Sequence, residues 1–154
     1  MAEFNSKHGS LAIAPSQAFM MFADLRNFGA MVPEDKKEMA EFDYDTVKVN
    51  VQGFQIGVRV SEREPYSLIA LEDDGAPFSF RVELHFDEAS SASETDFHID
   101  VQADLNFMMK MMLGGKIKDA LDKIVDTFSD ATRGHFPEGF NPEEFLKKNS
   151  PYQA

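Results

Sequence analysis

FSFRVELHFD, residues 78–87, decides the fold: Phe78, Phe80, Val82, Leu84 and Phe86 alternate without a miss with Ser79, Arg81, Glu83, His85 and Asp87. Successive side chains of a strand point to opposite faces, so this stretch reads as one strand with a dry face and a wet one. The pattern returns at Asp96–Leu105, where Phe97, Ile99, Val101, Ala103 and Leu105 oppose Asp96, His98, Asp100, Gln102 and Asp104. Strict period two over ten residues points to an antiparallel sheet with one face on a core and one in water.

Working back toward the N-terminus, Val47, Val49 and Val51 alternate with Lys48, Asn50 and Gln52, and after Gly53 the residues Phe54, Ile56, Val58 and Val60 alternate with Gln55, Gly57, Arg59 and Ser61. Ser67–Leu71 is a shorter strand, apolar on both sides, and Asp73-Asp74-Gly75 signals a turn. Upstream, Glu3–Ile13 reads as a strand. Pro15 then opens a helix in which Ala18, Phe19, Phe22 and Leu25 fall at helical spacing, and a second short helical turn is expected from Asn27 to Val32, ended by Pro33.

Beyond the last strand the period changes. Asn106 is a good cap, and Met109, Met112, Leu113, Ile117, Ala120, Leu121, Ile124 and Phe128 recur at three- and four-residue steps, opposite Lys116, Lys118, Asp119, Asp122, Lys123 and Asp126. Gly114-Gly115 inside this pattern reads as a break between a short helix and a long one, with a hinge or room at a cavity mouth as the alternative. The long helix is the element able to cover the dry face of the sheet, so the geometry presses it into the concave side. The expected fold is α+β: a curved antiparallel sheet of about six or seven strands wrapped around a long C-terminal helix, with two short helices after the first strand.

This domain is assigned to residues 1–131, followed by a tail at 132–154. In the tail, Asn141-Pro142-Glu143-Glu144 with Lys147-Lys148 has the cap, proline, early acids and late bases of a short helix. Phe136, Phe140 and Phe145 could dock it on the domain or on a second copy, so a homodimer stays open beside a mobile tail.

Composition narrows the function. The 154 residues contain no cysteine, which excludes disulfides, thiolate nucleophiles and cysteine-based metal sites and suits a reducing cytoplasm. The N-terminus lacks the basic start and apolar run of a secretory signal, and the apolar patches at residues 18–23 and 107–113 are too short to span a bilayer, so neither export nor stable membrane insertion is expected. A net charge of −12, from 27 acids against 15 bases, should repel phosphate backbones and disfavours nucleic acid as a partner.

The order of elements resembles the START-like superfamily, also called SRPBCC, which includes lipid-transfer START domains, the birch-pollen-allergen type and the polyketide cyclase/dehydrase type. Ala14-Pro15-Ser16-Gln17-Ala18-Phe19 through Asp24-Leu25 resembles that family's entry into its first helix. Leu105-Asn106-Phe107-Met108-Met109-Lys110-Met111-Met112, leading into Ile117–Phe128, resembles the closing helix of an uncharacterised bacterial subgroup. The resemblance covers about residues 3–130 and implies a helix-grip fold with a cavity between helix and sheet, commonly used for hydrophobic ligands. Cyclases, hydroxylase subunits and chaperone regulators share the fold, so membership alone does not choose a function.

If the alternation fixes the faces, an apolar ligand would meet Val49, Phe54, Ile56, Val58, Phe80, Val82, Leu84, Phe97 and Ile99 from the sheet, and Met109, Met112, Leu113 and Ile117 from the helix. The methionines Met108, Met109, Met111 and Met112 suit an adaptable surface and equally an ordinary core. No catalytic residue is assigned: no phosphate-cradling loop, nucleophile elbow or paired-histidine helix is present, and the rim candidates Asp24, Arg26, Glu41, Asp43, Tyr44, Tyr66 and Glu72 have no evident partners. No cofactor is implied.

His85 and His98 lie on consecutive wet faces and could be neighbours. With strand positions summing to 181, Arg81 faces Asp100, Glu83 faces His98 and His85 faces Asp96; at 183 the histidines pair, but acids then oppose acids. Opposite charges favour the first register, which predicts an outward ladder of ion pairs and no zinc site. The expected function is non-enzymatic binding of a small hydrophobic molecule, lipid-like or aromatic. A polyketide cyclase/dehydrase-like enzyme and a protein-interaction or regulatory domain with a filled core are the alternatives.

Overall fold

The computed structural model describes residues 2–27, 38, 40–51 and 54–135. In chain order its elements are β1 (Ala2–Asn5), β2 (Gly9–Leu11), α1 (Pro15–Ala23), β3 (Ala40–Phe42), β4 (Thr46–Val51), β5 (Phe54–Glu64), β6 (Leu68–Asp73), β7 (Phe80–Glu88), β8 (Thr95–Ala103) and α2 (Phe107–Ala131). The strands form one antiparallel sheet of eight in the order β1-β8-β7-β6-β5-β4-β3, with β2 also on β8. The six or seven expected strands become eight because the N-terminal segment divides into β1 and β2 and because three-residue β3, too short to carry a period, adds to β4. The proposed turn at Asn27–Val32 lies largely outside the described residues, as does the tail beyond His135.

The two faces follow the alternation. Leu84, Phe86, Phe97, Ile99, Val101 and Ala103 are buried, while Arg81, Glu83, His85, Asp96, His98 and Asp100 lie on the opposite face at intermediate exposure. The register differs from the expectation. Strands β7 and β8 pair at a sum of 183, so that His85 faces His98, Glu83 faces Asp100 and Asp87 faces Asp96. A shift of two residues leaves every side chain on its own face, so burial could not choose between the registers. The charges found partners in other directions: Arg81 binds Glu83 on its own strand at 3.0 Å and reaches Glu62 of β5 and Glu72 of β6 at 3.3 and 3.5 Å.

Helix α2 runs unbroken through Gly114-Gly115, correcting the expected break. Asn106 caps it by accepting a hydrogen bond from the Met109 amide at 2.8 Å. Its buried row is Leu121 and Val125, flanked by half-buried Leu113, Ile117 and Phe128, an i, i+4 progression that the sequence stripe missed by omitting Val125. Ala120 and Ile124, expected inward, are exposed.

What fixes the helix against the sheet is the β1–β2 region. A Cβ on Gly9 would collide with the Val125 side chain and with Ser129 Oγ, so only glycine allows so close an approach. The Lys7 amide donates to Asp122 Oδ1 at 2.7 Å, and the Ala12 amide donates to Thr132 Oγ1 at 3.0 Å. These bonds hold the last half of α2 over β1, β2 and β8, while α1 lies over β6 and β7.

Candidate functional site

The inner face is not packed evenly. Over β8 and the end of β7 it is filled: Phe22 of α1 stacks against both Phe86 and Phe97, with ring centroids 5.4 Å away in both cases, and Phe128 of α2 closes on Phe22 edge-first at 4.7 Å. Phe97, Ile69, Leu11 and Val125 have no solvent exposure. Edge-to-face and offset stacks favour this geometry beyond their area alone. Of the residues expected to touch a ligand, Leu84, Phe97 and Ile99 belong to this aromatic plug.

Across the other half the same inward phase continues without the same cover. Val47, Val49, Ile56, Val58 and Val60 of β4 and β5, with Phe80 and Val82 of β7, are half-buried, as are Met109, Leu113 and Ile117 in the first half of α2. Strand pairing brings the sheet residues together: Val49 faces Ile56, Val47 faces Val58, and Val82 faces Leu71, which in turn faces Val60. Met112 turns away and is 66% exposed, part of a bare group with Phe107, Met108 and Met111 at the start of α2. The side chain of Phe54 lies outside the described set.

A β-bulge shapes the rim. The β5–β6 register shifts between Val60 and Glu62, so Arg63, which an unbroken alternation would send outward, pairs with buried Ile69. Its guanidinium donates to the Ala23 carbonyl at the end of α1 through Nε and Nη2, at 3.1 and 2.8 Å. It also pairs with Asp45 at 2.7 Å and lies 4.5 Å from the centre of the Tyr44 ring. An arginine at a helix C-terminus satisfies carbonyls that have no helical partner. Here it also ties α1 to the β3–β4 turn. Asp24 sits alongside, and the hydrogen bond from Arg26 holds its carboxyl below the usual range against the opposing effect of burial. Of the rim residues singled out in the sequence, Asp24, Arg26 and Tyr44 are thus gathered around Arg63, a residue that the bulge alone reveals.

The buried polar groups serve the backbone. Thr95 donates to the Ile13 carbonyl at 2.7 Å, Asn27 to the Met21 carbonyl at 2.7 Å, and Ser6 both donates to Lys7 O and accepts from the Ile99 amide at 2.8 Å. A separate cleft of about 620 Å³ opens where the N-terminus of α1 meets the β5–β6 and β7–β8 turns, lined among others by Pro15, Tyr66, Phe86, Glu88 and Glu94. Its mixed lining contrasts with the apolar inner face. Among the described residues no helix is long and apolar enough to cross a membrane.

No protein-family model matches the sequence, and no curated protein matches it either. Solved structures do. A START superfamily protein from Mycobacterium smegmatis superposes with a TM-score of 0.54 at 12% identity, covering 80% of this chain and 97% of that one. The chain has a START-like helix-grip fold. Norcoclaurine synthase from Thalictrum flavum is similar to it with a TM-score of 0.68 at 8% identity, covering 87% of both chains. An uncharacterized protein from Bacillus thuringiensis gives 0.61 at 10% identity, covering 86% of this chain and 99% of that one. Identities this low carry the helix-grip architecture and nothing of the chemistry, which has to come from the residues of this chain.

Proposed function

We propose that this START-like chain binds a small hydrophobic molecule, lipid-like or aromatic, against the half of the inner face formed by β4, β5 and the edge of β7, with the first turns of α2 as its cover. One observation carries the reading: side chains of one inward phase are buried at Leu84, Phe86, Phe97 and Ile99 yet half-buried over β4 and β5 and at Phe80 and Val82. An apolar guest there would remove further surface from water at about 25 cal/mol per Å². Val49, Ile56, Val58, Val82, Leu113 and Ile117 are the residues we expect it to touch, with Met109 adapting to its shape. The exposed Phe107, Met108, Met111 and Met112 at the start of α2 suit an entrance where an apolar guest leaves water in stages. The reading is non-enzymatic, because the buried polar side chains described above are spent on backbone groups.

Native mass spectrometry of freshly purified protein, followed by denaturing analysis for a small molecule, tests the reading. A bound apolar species in stoichiometric amount is the expected result. Repeated absence of any guest, with no thermal shift across fatty acids, sterols and flavonoids, would overturn it.

A further inference from the structure

The outer face of β7 and β8 holds an arrangement that the ligand reading does not use. His85 and His98 face each other across the strand pair, their rings parallel within 4° and 4.6 Å apart, and His8 from the β1–β2 connection stacks on the far side of His98 at 4.3 Å. Asp100 Oδ2 lies 3.3 Å from His85 Nε2 and 3.4 Å from His98 Nε2. We propose that His85, His98 and Asp100 form a binding site for a divalent transition-metal cation of the Zn²⁺ type on the outer face of the sheet.

Three independent features support the assignment. The first is spacing. Zinc bound to nitrogen and oxygen at about 2.0–2.1 Å in a tetrahedron sets its ligands roughly 3.3–3.4 Å apart. The two measured nitrogen–oxygen distances are those of tetrahedral edges, and all three candidate ligand atoms lie within 4.8 Å of one another. Glu83 Oε1, 3.2 Å from His85 Nε2, puts a further oxygen beside them.

The second feature is charge. Glu83 opposes Asp100 and Asp87 opposes Asp96, so on the outer face a pair of carboxylates flanks the His85–His98 rung on each side. Like charges directly opposite are destabilising. The nearby cation, Arg81, is already shared among Glu83, Glu62 and Glu72. A dication held by the two imidazoles cancels the excess where it is greatest. The third feature is an unmet donor or acceptor: His98 Nδ1 is buried without a hydrogen-bond partner, with Asp87 Oδ2 at 3.8 Å. A metal on Nε2 fixes the proton on Nδ1, and a carboxylate on that side is the usual orienting group of a metal-binding histidine.

The parallel rings must turn about χ2 to aim both lone pairs at one ion. That torsion is broad and two-fold, so the adjustment is small in energy. The expectation of no zinc site rested on the register of sum 181, which kept the histidines apart. The observed pairing removes that ground.

The test uses the full chain without an affinity tag, stripped with EDTA and titrated with ZnCl₂ at pH 7.5. Calorimetry should find one strong equivalent per chain, and histidine ring signals of His85 and His98 should shift in the unsubstituted protein. H85Q and H98Q, with folding checked by circular dichroism, should each weaken binding at least about tenfold. D100N should weaken it as well. No saturable binding would overturn the proposal, as would ring signals of His85 and His98 that stay in place during the titration. Loss of binding in H8Q with H85Q unaffected would also overturn it, because the ion would then sit on the neighbouring set of His8, Asp96 and His98.

Discussion

The two halves of the inner face are built from the same kind of residue and reach opposite outcomes. Over β7 and β8, Phe22, Phe86, Phe97 and Phe128 interlock and exclude solvent; over β4 and β5, Val47, Val49, Ile56, Val58 and Val60 share the inward phase and stay half-buried. The difference comes from where the helices are anchored. Gly9 brings α2 close to β2, and α1 packs on β6 and β7, so the mass of both helices lies toward β1, β2 and β6–β8. Burial follows from that anchoring more than from hydrophobicity.

The contrast breaks most severely if a charge enters the dry face. Val82→Glu should unfold the protein or abolish binding, since an unpaired carboxylate there costs several kcal/mol, while Glu83→Val next to it should keep the fold. Equal damage in urea melts of both variants would show the faces wrongly assigned. Next in size, Phe97→Ala should cost about 3–5 kcal/mol, because the plug leaves a cavity that its neighbours cannot fill. Val58→Ala in the half-buried region should cost only about 1 kcal/mol and act mainly on ligand affinity. Similar stability losses in the two would erase the distinction between the halves.

Smaller effects test the anchors. The Asp24 carboxyl is held below its ordinary pKa by Arg26, so the stability it contributes is present above the unfolded value, near 4, and is lost as pH falls through the folded one. Asp24→Asn should therefore cost under about 1 kcal/mol at pH 7 and nothing near pH 2, as measured by paired denaturation curves. Smallest is Gly115→Ala: a Cβ there meets nothing, so the continuous helix should gain up to about 1 kcal/mol. A loss instead would point to a conformation of α2 that needs the glycine.

Much of this architecture is legible in the chain itself. The alternation at residues 78–87 and 96–105 assigns both faces, Pro15 opens α1, and Asn106 caps α2. Register is different, because pairing β7 with β8 at 181 or 183 conserves every face and leaves only side-chain charges to choose. Those charges bond along the strand, straight across to β6 and on to β5, as Arg81 does with Glu83, Glu72 and Glu62, so opposition between β7 and β8 alone was a poor guide. The division of the inner face was also invisible. It depends on the β5 bulge that turns Arg63 inward and on helix placement, neither of which leaves a periodic signal. Val125 is the exception, since its four-residue step from Leu121 was there to be read.

Methyl NMR during titration with 1-anilinonaphthalene-8-sulfonate, whose aromatic body seeks apolar surface, tests the divided inner face most directly. The account predicts saturable shifts at Val49, Ile56, Val58 and Val82 with one probe per chain, while Leu11, Ile69 and Val125 keep their positions. Shifts spread equally over both groups, or absent from the valines of β4 and β5, would contradict it.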